Sequence, residues 1–266
     1  MKYKVGFIGC GNMASAIMGG LINNANIAPS SIIASDASKQ ALNNASSNLS
    51  INTTSNNCEV ASESEVLFLS IKPQYYEVVI NEIKTSLTPE QIVITIAPGK
   101  TIEWLTSKLG DNIKIVRTMP NTPALVGEGI TGVCKNNLVT DDEFTYVMSL
   151  LGSFGLAEAI PESLMDVCVS VSGSSPAYVF MFIEAMADAA VADGMPRNQA
   201  YKFAAQAVLG SAKMVLETGK HPGELKDMVC SPGGTTIEAV RVLEEKGMRS
   251  SVIEAMKACT KKAKGL

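Results

Sequence analysis

VGFIGCGNMASAI, residues 5–17, is the stretch that decides the fold. An apolar run breaks on two glycines one residue apart, and an amphipathic stretch opens immediately behind them. Gly9, Gly11 and Ala14 stand in the spacing G-x-G-x-x-A, which turns a strand into a helix beneath a dinucleotide. Gly9 permits the tight turn, Gly11 lets the backbone approach a pyrophosphate, and Ala14 keeps the helix close to its strand. Cys10, Asn12 and Met13 complete the turn, so Gly9–Met13 is the expected pyrophosphate cradle, its charge met by helix-start amides. The spacing alone is common. Between an apolar strand and a helix it points to a nicotinamide or flavin dinucleotide.

Outward from this turn, residues 1–160 alternate apolar, Val- and Ile-rich runs with helical patterns. KVGFIG, SIIASD, SINTTS, EVLFLSI, QIVITIA, IKIVRTM, GITGVCK and LAEAIP read as strands, several of them covered on both faces. The alternation predicts an α/β fold with a Rossmann-type doubly wound sheet. From residue 161 the strand signals stop, and 161–266 reads as an all-helical domain. Ser175 is placed to cap a helix with Pro176 at its first position, Pro196 starts another that Gly219 ends, and Thr235 with Glu238 has capping-box spacing. A helical domain of this size is small for independent stability, and its Ala- and Met-rich helices suit close packing against a second copy. A homodimer is expected.

Composition removes several classes. A net charge of −4 argues against nucleic acid or an anionic membrane as partner. The six cysteines never fall in C-x-x-C spacing, and the first strand begins at residue 3, so reduced thiols in a cytoplasmic protein are expected, with no metal site. The single histidine, His221, lies in a turn where capping or packing suits it better than triad or metal chemistry. The apolar stretch AYVFMFIEAMADAAVADGM contains Glu184, Asp188 and Asp193, and reads as a buried helix rather than a membrane span.

The second strand ends at Asp36. A carboxylate there suits the ribose hydroxyls of NAD, or caps the next helix; Ser35, Ser38 and Lys39 are equipment for the 2′-phosphate of NADP. NADH and NADPH both stay open. Two further strands end in LSIKPQ and TIAPGKTI, where an open α/β sheet binds ligands. RTMPNTPALVGEG, SVSGSSPAY and LKDMVCSPGGTTIEAV follow in order.

This ordered set closely resembles the Δ1-pyrroline-5-carboxylate reductase family, over the whole chain. MPNTP, SGSSPAY and SPGGTT together are specific to it. The resemblance implies an oxidoreductase that reduces the cyclic imine 1-pyrroline-5-carboxylate to L-proline with NADPH or NADH, and a helical domain that forms dimers and further decamers. It places Ser35 and Asn57 at the adenosine end. Ser70, Ile71, Lys72 and Pro73, with Ile96, Ala97 and Pro98, fall beside the nicotinamide half, and Asn121 near the ring. Ser231, Gly233, Gly234, Thr235 and Thr236 form the substrate loop, Thr236 being the catalytic hydroxyl toward the imine nitrogen.

In that reading the backbone amides of Gly233, Gly234 and Thr235 hold the substrate carboxylate, while Thr235 is consumed as a helix cap. Two residues depart from the family pattern: Pro98 stands where many members carry Ala, and Met228 where some carry a polar side chain. Hydroxyacid dehydrogenases with similar architecture resemble one another in a lysine on the first long helix. SSPAYVFMFIEAMADAAV has none.

Overall fold

The computed structural model describes residues 1–265; Leu266, the last residue of the expected helical domain, lies outside them. The chain runs β1 (Tyr3–Ile8), α1 (Asn12–Asn24), β2 (Ile32–Ser35), α2 (Lys39–Leu49), β3 (Asn52–Thr54), α3 (Asn57–Glu63) and β4 (Ser64–Leu69). Then come α4 (Tyr76–Ile83), β5 (Ile92–Thr95), α5 (Ile102–Leu109), β6 (Lys114–Met119), β7 (Gly129–Lys135), α6 (Asp141–Leu151) and β8 (Gly155–Ala159). The remainder is helical: α7 (Met165–Cys168), a wide turn over Val169–Gly173, α8 (Ser175–Ala192), α9 (Arg197–Thr218), α10 (Pro222–Val229), α11 (Thr235–Glu245) and α12 (Met248–Ala263).

The strands form one eight-stranded sheet in the order β3-β2-β1-β4-β5-β6-β7-β8. All pairs are parallel except β6 with β7. Each apolar run found in the sequence is a strand of this sheet. Alternation along the strands divides its core in two. Val5, Phe7, Ile32, Val66, Phe68, Ile94 and Val116 meet α1 and α6 on one face. Ile33, Leu67, Leu69, Val93 and Ile115 meet α3, α4 and α5 on the other. Phe7 and Phe68 pair in register and stack with ring centroids 4.8 Å apart. Burial on both faces is why these strands read as continuous apolar runs.

By internal packing the chain divides into two units. One comprises Met1–Ser174 together with the chain from Thr260 onward; the other is Ser175–Cys259. By packing, the division falls after Ser174, because residues 161–174 are held on the first unit. Arg117 of β6 is 4% exposed and donates to Glu162 Oε1 at 2.9 Å, with Asp166 Oδ1 3.6 Å away. Met165, Ser170 and Ser172 are buried, and Thr260 Oγ1 donates to Ser170 Oγ at 2.8 Å.

In the second unit α8 and α9 pack through Ala187, Ala200 and Ala204. The reading of α8 as a buried helix is corrected here. Only Ala187 of its 18 residues is buried within the chain, and Phe180 and Met181 are 61% and 69% exposed. The apolar faces of the run lack cover from this chain itself. Among the described residues one helical run, Glu162–Ala192, is long and apolar enough to cross a membrane by length and composition. α8 starts at Ser175 itself, one residue before the expected first position. α9 begins after Pro196 and ends on left-handed Gly219 as its sequence indicates, and His221 caps α10 by accepting the Gly223 N–H at 3.0 Å. None of the six cysteines is in a disulfide.

Candidate active site

At the C-terminal edge of the sheet the β1–α1 turn opens a cleft of about 420 Å³, lined by Ile8, Gly9, Gly11, Asp36, Ala37, Asn57, Ser70, Ile71, Lys72, Tyr75, Val78 and Val79. Gly9 has φ +103°, and a Cβ there would stand 2.5 Å from the Ser70 carbonyl oxygen. No side chain fits between β1 and β4 at that point. Gly11 is the opposite case: a Cβ would meet nothing within 4 Å, so the space beyond its backbone is open. It is also the N-cap of α1, and no side chain caps that helix. The first amides of α1 therefore face outward beside an open approach, which suits a pyrophosphate.

The neighbouring groups fit the same ligand. Ser70 Oγ is buried without a hydrogen-bond partner, as expected of a donor awaiting one. Asp36 Oδ2 accepts the Cys10 N–H at 2.8 Å and Oδ1 accepts the Ser38 N–H at 2.8 Å. Asp36 therefore does not cap α2; the Ser38 hydroxyl does, accepting from Ala41 N. Burial, then the Asp36 carboxylate, push the Cys10 thiol up to about 12, so this cysteine is no nucleophile at neutral pH.

Of the residues expected at the cofactor, Gly9, Gly11, Asp36, Asn57, Ser70, Ile71 and Lys72 come together as walls of the cleft. Ser35 stands behind it, its hydroxyl donating to Asn57 Oδ1 at 2.7 Å. Cys10, Asn12, Met13 and Pro73 adjoin the lining residues in the chain without lining the cleft themselves. Ile96, Ala97 and Pro98 lie at the end of β5, two strands from β1, with Ala97 buried and Pro98 exposed. Tyr76 aligns the ends of β4 and β5: its hydroxyl donates to the Leu69 carbonyl at 2.6 Å and lies 2.8 Å from Thr95 Oγ1. Burial raises the Tyr76 pKa, keeping the hydroxyl protonated as a donor. Asn121 is 7% exposed and fully engaged with backbone, donating to Ser172 O at 3.1 Å and accepting from Ile130 N at 2.9 Å. It braces the loop behind β6.

Sequence reasoning missed the cleft's apolar wall of Tyr75, Val78 and Val79. Tyr75 and Val78 are 55% and 70% exposed; large apolar residues in the turn and first helical turn after a strand C-terminus are the signal that could have found them.

The expected substrate loop belongs to the second unit. Ser231–Gly234 is a turn closed by the Gly234 N–H on the Ser231 carbonyl at 3.0 Å. Pro232 and Gly233 are its central residues, and Gly233 has φ +67°, the backbone of a type II turn. Two expectations change. Gly234, not Thr235, is the N-cap of α11, and no capping box forms; Glu238 pairs with Arg241 instead. The Gly234 amide is spent in the turn, so it is not available to an anion. The Gly233 amide and the first amides of α11, from Thr235 onward, are the ones left, and neither the Thr235 nor the Thr236 hydroxyl caps the helix.

A mostly parallel open sheet with an uncapped helix start over a glycine turn, and a cleft beside it, defines a dinucleotide-binding protein. Residues 162–266 match the family described as pyrroline-5-carboxylate reductase dimerisation, and residues 4–99 match NADP oxidoreductase, coenzyme F420-dependent. The pyrroline-5-carboxylate reductase of Escherichia coli K12 is 55% identical over 266 residues, covering 100% of this chain and 99% of its own length. That of Methanosarcina acetivorans is 42% identical over 263 residues, covering 99% and 97%. The crystal structure of Plasmodium falciparum pyrroline carboxylate reductase with NADP bound is similar at TM-score 0.90 and 34% identity, covering 100% of this chain and 98% of that one. The chain belongs to the pyrroline-5-carboxylate reductase family.

Proposed function

We propose that this chain reduces 1-pyrroline-5-carboxylate to L-proline with NADH or NADPH, the last step of proline biosynthesis, through the residues described above. The observation that carries the reading is likeness to named reductases over the full chain, at 55% identity. When bound, the reduced nicotinamide supplies a hydride to the imine carbon. Gly9, Cys10, Gly11, Asn12 and Met13 hold the pyrophosphate, with Ser35, Asp36 and Asn57 serving the adenosine end. Ser70, Ile71, Lys72, Pro73, Ile96, Ala97 and Pro98 flank the nicotinamide half, and Asn121 positions the loop beside it.

The substrate carboxylate is held at the start of α11 by the amides of Gly233, Thr235 and Thr236, without an arginine; Ser231 and Gly234 shape the turn that presents them. As the C=N bond becomes single, its nitrogen must carry a proton. Threonine is too weak an acid to donate one outright. Thr236 therefore donates a hydrogen bond that orients the ring nitrogen, and the proton arrives with the imine or through water. Met228, 61% exposed, leaves the loop's entrance apolar.

We read residues 1–160 as the cofactor domain and 161–266 as the dimerisation and substrate domain of a cytoplasmic homodimer, assembled further into decamers. The exposed apolar residues Phe180, Met181, Phe203 and Leu216 support a protein partner. Glu184 and the Asp188–Arg197 ion pair on the same helices favour that partner over lipid. The net charge of −4 favours no nucleic acid.

The test is direct. Purified chain is mixed with NADH or NADPH and 1-pyrroline-5-carboxylate, following dinucleotide absorbance and the appearance of proline. Binding of a dinucleotide with no imine-dependent oxidation would sink the reading.

A further inference from the structure

Among the described residues lining the cleft of the first unit, one is a carboxylate, Asp36, and one is a cation, Lys72. They lie apart: Asp36 follows β2 and Lys72 follows β4, on opposite sides of β1. The Asp36 carboxylate is fixed. Its two oxygens each accept a backbone N–H at 2.8 Å, one from Cys10 and one from Ser38. Swinging it away would strand two donors beside the pyrophosphate turn. An ionised carboxylate has about four lone-pair sites, so each oxygen can still accept from a ligand hydroxyl.

Of the groups that could answer a phosphate at this strand end, the Ser35 hydroxyl is already committed and Ser38 keeps only its hydroxyl proton. Ser35 Oγ donates to Asn57 Oδ1 at 2.7 Å, and Asn57 Nδ2 donates to Glu82 Oε2 at 2.9 Å. The Ser38 hydroxyl caps α2, and its N–H is the one taken by Asp36. Lys39 is exposed in the first turn of α2 and does not line the cleft.

We propose that Asp36 makes this chain select NADH over NADPH, an inference that rests on the reductase reading. Its fixed oxygens accept from the adenosine ribose hydroxyls, whereas a 2′-phosphate would meet a like charge that cannot turn aside. The expected preference is about ten- to a hundredfold in affinity, the scale of one like-charge contact in a partly solvated cleft.

The experiment is calorimetric titration of NADH and NADPH, without imine, into the parent, Asp36→Asn and Asp36→Ser, with thermal melting of each unliganded protein. The parent should bind NADH at least about tenfold more tightly, and Asp36→Ser should shift the ratio toward NADPH by a similar factor. Equal or tighter binding of NADPH by the parent overturns the inference alone, and that measurement needs no variant to fold. Loss of both dinucleotides in equal proportion in folded variants also overturns it, because Asp36 would then serve only the turn. Binding of neither dinucleotide by the parent overturns it together with the reductase reading.

Discussion

Gly9 and Gly11 belong to one motif but should fail in different ways. In Gly9→Ala the new Cβ would stand 2.5 Å from the Ser70 carbonyl oxygen and 2.9 Å from its carbon. Both atoms are backbone, and Ser70 N–H is tied to the Ile8 carbonyl at 2.8 Å while Gly9 N–H is tied to Ser35 O at 2.7 Å. Nothing flexible can yield. Forcing L-alanine to φ +103° costs about 1–2 kcal/mol, and opening the β1–β4 seam about 1–3 kcal/mol more. The sum, about 2–5 kcal/mol, is a large share of a domain's stability. Gly11→Ala meets nothing within 4 Å at φ −71°, so stability should move by less than about 0.5 kcal/mol. Its methyl would occupy the approach to the helix start, and dinucleotide affinity should fall at least about tenfold. Urea unfolding followed through Trp104, the chain's one tryptophan and part of the first unit, measures the first effect; calorimetric titration with NADH measures the second. A Gly9→Ala protein that unfolds at the parent's urea midpoint would refute the steric reasoning, as would a Gly11→Ala protein that binds normally but unfolds early.

Thr236→Ala should slow imine reduction about ten- to a hundredfold, the worth of one hydrogen bond to a charging nitrogen at roughly 1.5–3 kcal/mol, with dinucleotide affinity unchanged. Thr235→Ala should leave stability within about 0.5 kcal/mol, because its hydroxyl caps nothing; steady-state kinetics and melting on both variants check the pair. Arg117→Met removes the buried guanidinium from Glu162 and Asp166 and should cost about 1–3 kcal/mol in urea unfolding, less than a fully buried pair because both carboxylates stay partly solvated. Phe180→Asp should sediment as a monomer at micromolar concentration where the parent sediments as a dimer or larger. Burial pushes Glu143 up, but its bonds from Lys114 and Thr140 outweigh this and hold its carboxyl below the usual value. A depressed folded pKa contributes stability above the unfolded value that is lost as pH falls through the folded one. Glu143→Gln should therefore destabilise at pH 6 and converge with the parent near pH 3 in urea titrations.

The sheet was legible because its signals are local. The inner strands carry their own Val- and Ile-rich runs, and the Gly9–Gly11 spacing announces the turn that the backbone makes. The second unit was legible only in outline. α8 is as apolar as a core helix, and a sequence does not say whether the covering surface comes from the same chain. Thr235 and Glu238 have capping-box spacing, yet the Pro232–Gly233 turn brings Gly234 into the cap position and Arg241 draws Glu238 away. Arg117 went unnoticed because its partners lie 45 and 49 positions further along, on a segment far from it in sequence that packs with the first unit. Asp36 was noticed, but its commitment to two amides depends on β1 and β2 pairing side by side.

The strand order also bears on how the sheet can be built during synthesis. β1 emerges first and ends up inside the sheet; β2 and then β3 extend one side of it, after which β4 takes the other side and β5 to β8 follow outward in turn. No strand has to wedge between two already joined. Each arrives at an open margin left by its predecessors, so a nascent chain can assemble the sheet by accretion as it leaves the ribosome. The same order keeps a bare margin on the growing side at every stage, each strand covering its predecessor's edge and exposing its own until β8 is left as the final one.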